Sequence, residues 1–280
     1  MILRRTLKIA LPLFVALVFT GCATTSQEWS SDVPNVNKSS KAKRAPKVNI
    51  DKESVDALSA PYSDLWDRIR DGFQLDVADD PLVIKHVRWY ADRPDYVDRM
   101  MSRSSRYLFY IVEEVDRRKM PMELALLPFI ESAFNPGAFS RAKASGMWQF
   151  MPATGKDFKL TQNVFRDERR DVIQSTDAAL DYLQRLYKMF GDWQLVLAAY
   201  NWGEGNVSKA IKRNQAQNLP TDYASLKMPD ETRNYVPKLL AVKKIVMDAK
   251  AYGLNLPKLE NHPYFVVVTT SKDEIGRAHV

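Results

Sequence analysis

The chain has 280 residues, 45% apolar and 27% charged, which fits one or two domains with a full core and excludes a collagen-like, wholly disordered or multi-span membrane protein. A single cysteine rules out an intramolecular disulfide and a cysteine-built zinc site, three widely spaced histidines (His86, His262, His279) argue against a metal centre, and nothing calls for a cofactor. The formal charge of +7 falls to about +4 without the basic N-terminal stretch described next, too mild a bias to require nucleic acid. Ten glycines are few, so the expected class is mainly α, with a short β element near the C-terminus.

Arg4, Arg5 and Lys8 precede the apolar run Ile9–Phe19, the order of a secretory signal over residues 1–21, so the mature protein is expected to be exported. Small residues lead into Cys22, and Gly21-Cys22-Ala23 resembles a bacterial lipoprotein box in which Cys22 becomes the acylated first residue. Ala23 after it resembles lipoproteins passed on to the outer membrane. Residues 22–60, rich in Ser, Lys, Asn, Thr and Pro, read as a lipidated, flexible tether.

From residue 61 the pattern becomes helical, without internal repeats. Leu65, Ile69 and Phe73 make Tyr62–Phe73 an entry helix. Val97, Met101, Ser104, Leu108, Ile111, Val112 and Val115 mark one face of a single long helix from Pro94 to Met120-Pro121. Pro121 then opens a second helix, Met122–Phe134, apolar all round and therefore buried, closed by Asn135-Pro136-Gly137. Gly146–Phe158 reads as a short helix broken at Pro152. Ser175-Thr176-Asp177 caps a helix whose Ala179, Leu183, Leu186 and Phe190 face inward, ended by Gly191-Asp192. Trp193–Tyr200 is a further buried helix, Glu204–Asn214 is amphipathic, Asp230–Ala251 closes the set, and Phe265–Thr270 reads as a strand. Glu274–Val280 resembles a translated sequencing adapter running into a stop codon. Residues 274–280 are therefore expected to be an artefact and 253–273 the cut-short start of a C-terminal region, so His279 receives no role.

Three segments carry chemistry. Phe129-Ile130-Glu131-Ser132-Ala133-Phe134 sets a carboxylate at the end of an apolar helix, where desolvation raises its pKa towards that of a general acid, unless Glu131 lies on the one wet stripe of that helix. Gly146-Met147-Trp148-Gln149 places an amide among aromatic and apolar surface, suited to neutral hydroxylated or N-acetylated ligands, though such spacing also builds ordinary core. Ala199-Tyr200-Asn201-Trp202 ends a buried helix in polar and aromatic groups, as a cap or as a cleft wall. The charged run with Asp167, Glu168 and Asp171 reads as a solvated helix start, Glu204 as a cap, and Glu231 with Arg233 as a supporting ion pair.

In this order, and followed by Glu231-Thr232-Arg233-Asn234-Tyr235-Val236-Pro237, these segments resemble the successive motifs of the soluble-lytic-transglycosylase and goose-type-lysozyme superfamily, over about residues 62–246. The resemblance implies a lysozyme-like transglycosylase core over 121–252, behind a helical part over 61–120. It implies cleavage of the β-1,4 bond between N-acetylmuramic acid and N-acetylglucosamine of peptidoglycan, leaving 1,6-anhydromuramyl ends, with Glu131 as the single acid and base. By the same resemblance Ser132 orients Glu131 or the sugar and Met147 and Gln149 line the sugar subsite. Tyr200 and Asn201 position the acid and the transition state, and Tyr235 closes the cleft. The partners implied are peptidoglycan strands and, through Cys22, the periplasmic face of the outer membrane, for a monomer without metal. Two alternatives stay open: a lysozyme-type hydrolase of the same bond, and a non-catalytic peptidoglycan-binding lipoprotein.

Overall fold

The computed structural model describes residues 62–76 and 80–266. The signal sequence over 1–21, Cys22, the tether to residue 60, the end of the strand read at 265–270 and the adapter-like residues 274–280 lie outside them.

Eleven helices make up the described body, with no named strand among the described residues; Phe265 and Val266 are described and carry none, so mainly α holds. They are α1 (Leu65–Asp71), α2 (Pro81–Ala91), α3 (Pro94–Ser104), α4 (Leu108–Arg117), α5 (Leu127–Ser132), α6 (Pro152–Asp157), α7 (Val172–Phe190), α8 (Trp193–Trp202), α9 (Glu204–Ala216), α10 (Asp230–Arg233) and α11 (Tyr235–Met247). Aspartates begin several of them: the side chains of Asp64, Asp80, Asp171 and Asp192 accept from backbone N–H groups of α1, α2, α7 and α8. None of the described helices is long and apolar enough to cross a membrane.

α11 is the central element. Val236, Leu239, Leu240, Ala241, Val242, Ile245 and Val246 are buried, and the helix packs on α1, α2, α5, α8 and the 3-10 turn Met122–Leu126. Each large apolar side chain enclosed in this way stabilises the fold by about 1.5–3 kcal/mol. One ion pair is enclosed with them. The Lys243 ammonium lies 2.7 Å from Glu123 Oε1, and that carboxylate also accepts from the N–H groups of Gln74 and Leu75 at 3.0 and 2.8 Å. Lys243 also donates to the Leu75 carbonyl, so one buried cluster ties the chain after α1 to α11.

Five expectations about helix limits are corrected. The long helix from Pro94 is two, because Ser104 and Ser105 turn their hydroxyls back onto the carbonyls of Met101 and Ser102 and the chain bends before Leu108. Met122–Phe134 is a 3-10 turn followed by α5, since Pro128 lacks the N–H needed to continue one ladder through both. Gly146–Phe150 is not helical: Gly146 and Gln149 have φ of +84° and +50°, and Ser145 pairs with Phe150, so Pro152 starts α6 rather than breaking it. The cap of α7 is Asp171, with Ser175 and Thr176 buried inside the helix. Asp230–Ala251 is interrupted at Asn234 and ends at Met247 before a 3-10 turn. α2 has no counterpart in the sequence reading, although Asp80-Pro81 and the buried Val83, Val87 and Tyr90 carry the signs of one.

Candidate active site

Glu131 lies in the last turn of α5, and the helix stops immediately beyond Ser132 because Ala133 and Phe134 both adopt left-handed backbone, φ +51° and +56°. Such a pair of non-glycine residues costs on the order of 1–3 kcal/mol each. Burial of Phe134, whose ring meets Phe129 edge-on at 4.4 Å, and the bond from Phe134 N–H to the Pro128 carbonyl hold the reversal in place. The reversal leaves the carboxyl at a helix end beside α11 instead of inside a continuous helix.

There the Tyr235 hydroxyl donates to Glu131 Oε1 at 2.5 Å. Burial pushes the Glu131 pKa up from its ordinary value near 4.5 to about 7; the negative charge of Glu231 adds to this, while the Tyr235 bond and the Lys238 cation oppose it. Both Tyr235 and Tyr200 are held well above the usual phenol range, first by burial and next by the charge of Glu131, so they act as neutral donors. No cation forms an ion pair with Glu131 among the described residues. The arrangement gives a carboxyl that is part protonated near neutrality.

The turn at 146–149 forms the adjoining wall. Gly146 is obligatory there: a Cβ would lie 1.8 Å from the Arg169 carbonyl, and its φ is positive. Two consecutive carbonyls of this turn are held from two sides, Met147 O by the Ser132 hydroxyl at 2.9 Å and Trp148 O by the Tyr200 hydroxyl at 2.9 Å. The buried Trp148 donates its indole N–H to Thr176 of α7 at 3.0 Å, and Gln149 closes the turn with Nε2 on the Gly146 carbonyl at 2.7 Å. Arg169 braces it from below, donating to the carbonyls of Lys143 and Phe150 and pairing with Asp167.

Glu131, Ser132, Gln149, Tyr200 and Tyr235 thus belong to one connected cluster. Asn201 stands one step away, accepting from the Thr232 hydroxyl at 2.8 Å and so linking α8 to α10. Met147 departs from its expected place on the sugar wall: its side chain is 1% exposed and belongs to the core, and only its carbonyl takes part. The run 167–171 is a helix start with local pairs as expected, Asp171 capping α7 and Arg170 and Asp171 exposed, but it is solvated only in part: Glu168 and Arg169 are buried, and Glu168 accepts from Thr161 N–H and pairs with Arg166. Glu204 is no side-chain cap; it accepts from Tyr182 at 2.7 Å and pairs with Arg185 at 2.8 Å. Glu231 and Arg233 form no ion pair with each other, and Glu231 acts on Glu131 through its charge instead. Lys238 was missed, although its position three residues after Tyr235 puts it on the same face of α11.

Residues 110–221 match the family model of the transglycosylase SLT domain. The chain is 46% identical over 199 residues to membrane-bound lytic murein transglycosylase D of Escherichia coli (strain K12), covering 71% of this chain and 44% of that protein. It is 31% identical over 116 residues to soluble lytic murein transglycosylase of Escherichia coli (strain K12), covering 40% and 18%. The chain therefore spans less than half the length of either relative. Among solved structures, the 70 kDa soluble lytic transglycosylase of Escherichia coli aligns with a TM-score of 0.40 at 22% identity, over 62% of this chain and 31% of that one. The stretch that matches the transglycosylase SLT domain runs from α4 to the loop after α9 and holds within it Glu131, the Gly146–Gln149 turn and Tyr200.

Proposed function

We propose that the protein is a peptidoglycan lytic transglycosylase that cleaves the β-1,4 bond between N-acetylmuramic acid and N-acetylglucosamine and leaves a 1,6-anhydromuramyl end. The observation that carries this reading is the half-buried Glu131 carboxyl, raised to about 7 and touched by a phenol rather than a cation.

In this reading Tyr235 occupies Oε1 and leaves Oε2 to face the substrate. The protonated carboxyl gives its proton to the departing glycosidic oxygen as the C1–O bond breaks. The resulting carboxylate takes the proton of the muramyl C6 hydroxyl, whose oxygen closes on C1. The proton count balances, and Glu131 returns to its protonated form. Because the nucleophile belongs to the same sugar, its effective concentration is high and no second carboxylate is needed to activate water. Ser132 and Tyr200 act by fixing the wall at Met147 and Trp148, and Gln149 by holding that turn closed.

One observation favours a second reading, hydrolysis by water. Glu231, an exposed carboxylate, lies within electrostatic reach of Glu131 and is a candidate base. Mass spectrometry of the products from purified peptidoglycan separates the two, with Glu131→Gln as control. Transglycosylation gives fragments about 18 Da lighter than hydrolysis, because the acid–base cycle consumes no water. Reducing ends instead would establish the hydrolase. The envelope setting belongs to the same proposal: a cleaved signal over 1–21 and acylation at Cys22 would hold a monomer on the periplasmic face of the outer membrane. Acyl labelling of wild type but not of Cys22→Ala tests it.

A further inference from the structure

A groove of about 560 Å³ lies on the outer face of α2, at residues that precede the SLT match, and Ile84, Lys85, His86, Arg88, Trp89 and Arg93 line most of it, with the carboxylate of Asp92 also on the lining. The helix turns Val83, Val87 and Tyr90 inward, so its outward face is free to carry other chemistry. Trp89 is 41% exposed, unusual for an indole on a body that encloses Trp66 and Trp148 fully. It is also held still: the rings of Tyr90 and Tyr96 meet it edge-on at 5.1 and 5.4 Å, and the Arg93 guanidinium sits 4.5 Å from its centroid while bonding the Trp89 carbonyl. A fixed, partly open indole offers the flat apolar surface on which the C–H face of a pyranose ring packs. Beside it, Lys85 and Arg88 are exposed cations with no ion-pair partner among the described residues.

One lining residue, His86, ties the groove to the N-terminal end of α11. His86 Nε2 meets Asn234 Oδ1 at 2.8 Å, and Asn234 immediately precedes Tyr235, the residue bonded to Glu131. Lys238, one turn further along α11, acts through its charge on both His86 and Glu131.

We infer that the α2 groove is a second binding site for an anionic glycan strand, in which Trp89 packs against a sugar ring and Lys85 and Arg88 take carboxylates of the strand bound at Glu131. The inference rests on the peptidoglycan reading for its substrate class, and adds a site outside the SLT domain. On intact strands the carboxylates are those of the peptide stems, because the lactyl carboxyl of each stem-bearing muramic acid is held in the amide to its stem.

The test uses the full chain carrying Glu131→Gln, so that binding is read without cleavage, in co-sedimentation with purified sacculi and in fluorescence titration with soluble glycan strands stripped of peptides by an amidase. Adding Lys85→Glu and Arg88→Glu together is expected to weaken binding to sacculi about tenfold. Both positions are exposed and point away from the core, so the charge reversal leaves folding intact. Loss on sacculi alone assigns the carboxylates to the stems, and the same loss on stripped strands shows that Lys85 and Arg88 also take the lactyl carboxylates that the amidase frees. Trp89→Ala should lose a similar factor on both substrates. With Glu131 restored, the charge reversal should raise the half-saturating sacculus concentration and leave the maximal rate unchanged. Binding and half-saturation equal to the parent overturn the groove, whatever the products of cleavage are. Failure of wild type to release muropeptides overturns the proposed activity and leaves the binding comparison readable.

Discussion

Two carboxylates eight residues apart, the fully buried Glu123 and the half-buried Glu131, have opposite surroundings. Glu123 is completely enclosed, and an ammonium and two backbone N–H groups surround it. Glu131 has one phenol, a neighbouring carboxylate, and a cation that acts only through its field. The first arrangement holds a charge in place and joins two parts of the chain; the second leaves a proton free to move near neutral pH. Burial alone does not separate structure from chemistry: the partners do.

The largest expected effect breaks the comparison on the chemical side. Glu131→Gln keeps size and shape, so the protein should fold while turnover of peptidoglycan falls by about 10²–10⁴-fold or more, the usual worth of a positioned acid. Muropeptide release by chromatography measures it, and retained turnover would remove Glu131 from the chemistry. On the structural side, Glu123→Ala leaves the Lys243 ammonium and the N–H groups of Gln74 and Leu75 buried without their acceptor, and should cost about 3–5 kcal/mol in urea unfolding. Replacing both partners, Glu123→Met with Lys243→Met, should recover much of this loss. If it does not, the backbone bonds matter more than the ion pair.

A smaller effect comes from linkage. The folded pKa of Glu131, about 7, lies above its ordinary value near 4.5, so between these limits the folded state keeps a proton that the unfolded state has released. Stability contributed at this site therefore falls as pH rises from about 4.5 to 7 and stays low above that. Glu131→Gln should be more stable than wild type by about 2–3 kcal/mol at pH 8, with the gain vanishing towards pH 4.5. Thermal unfolding of both proteins across that window checks the sign, and an unchanged difference would show that the carboxyl is better solvated than its burial implies.

The smallest expected change is Tyr235→Phe, which removes the bond that opposes the rise. The pKa should move further above 7, carrying the alkaline limb of kcat/KM with it, while the rate at neutral pH falls about tenfold, the worth of one charge-assisted bond. An unmoved alkaline limb would mean that this limb belongs to another group.

Much of this was legible from residue order. The apolar run ending in Glu131-Ser132, the Gly146–Gln149 turn, Tyr200-Asn201 and Tyr235 were each recognisable as types at a spacing, and all but Asn201 and the Met147 side chain join one cluster. The helix limits were less legible. Whether the chain continues through Ser104-Ser105 or through Pro128 depends on where hydroxyls and missing donors send the hydrogen bonds, which periodicity does not encode. The charged run 167–171 read as solvated because charge normally is. Only the packing of Arg169 against the carbonyls of Lys143 and Phe150 reveals it as a brace.

By itself, then, the sequence determined the helical class, the position of an acid at the end of an apolar helix, and the kind of residues that accompany it. These follow from short-range periodicity and from residue chemistry. Tertiary structure alone decided how acidic Glu131 is, which tyrosine touches it, and that Glu231 and Lys238 modulate it. Each of these depends on desolvation and on charges brought together by residues about a hundred positions apart, from α5 and from α10 and α11, and neither is a property of any local stretch of chain.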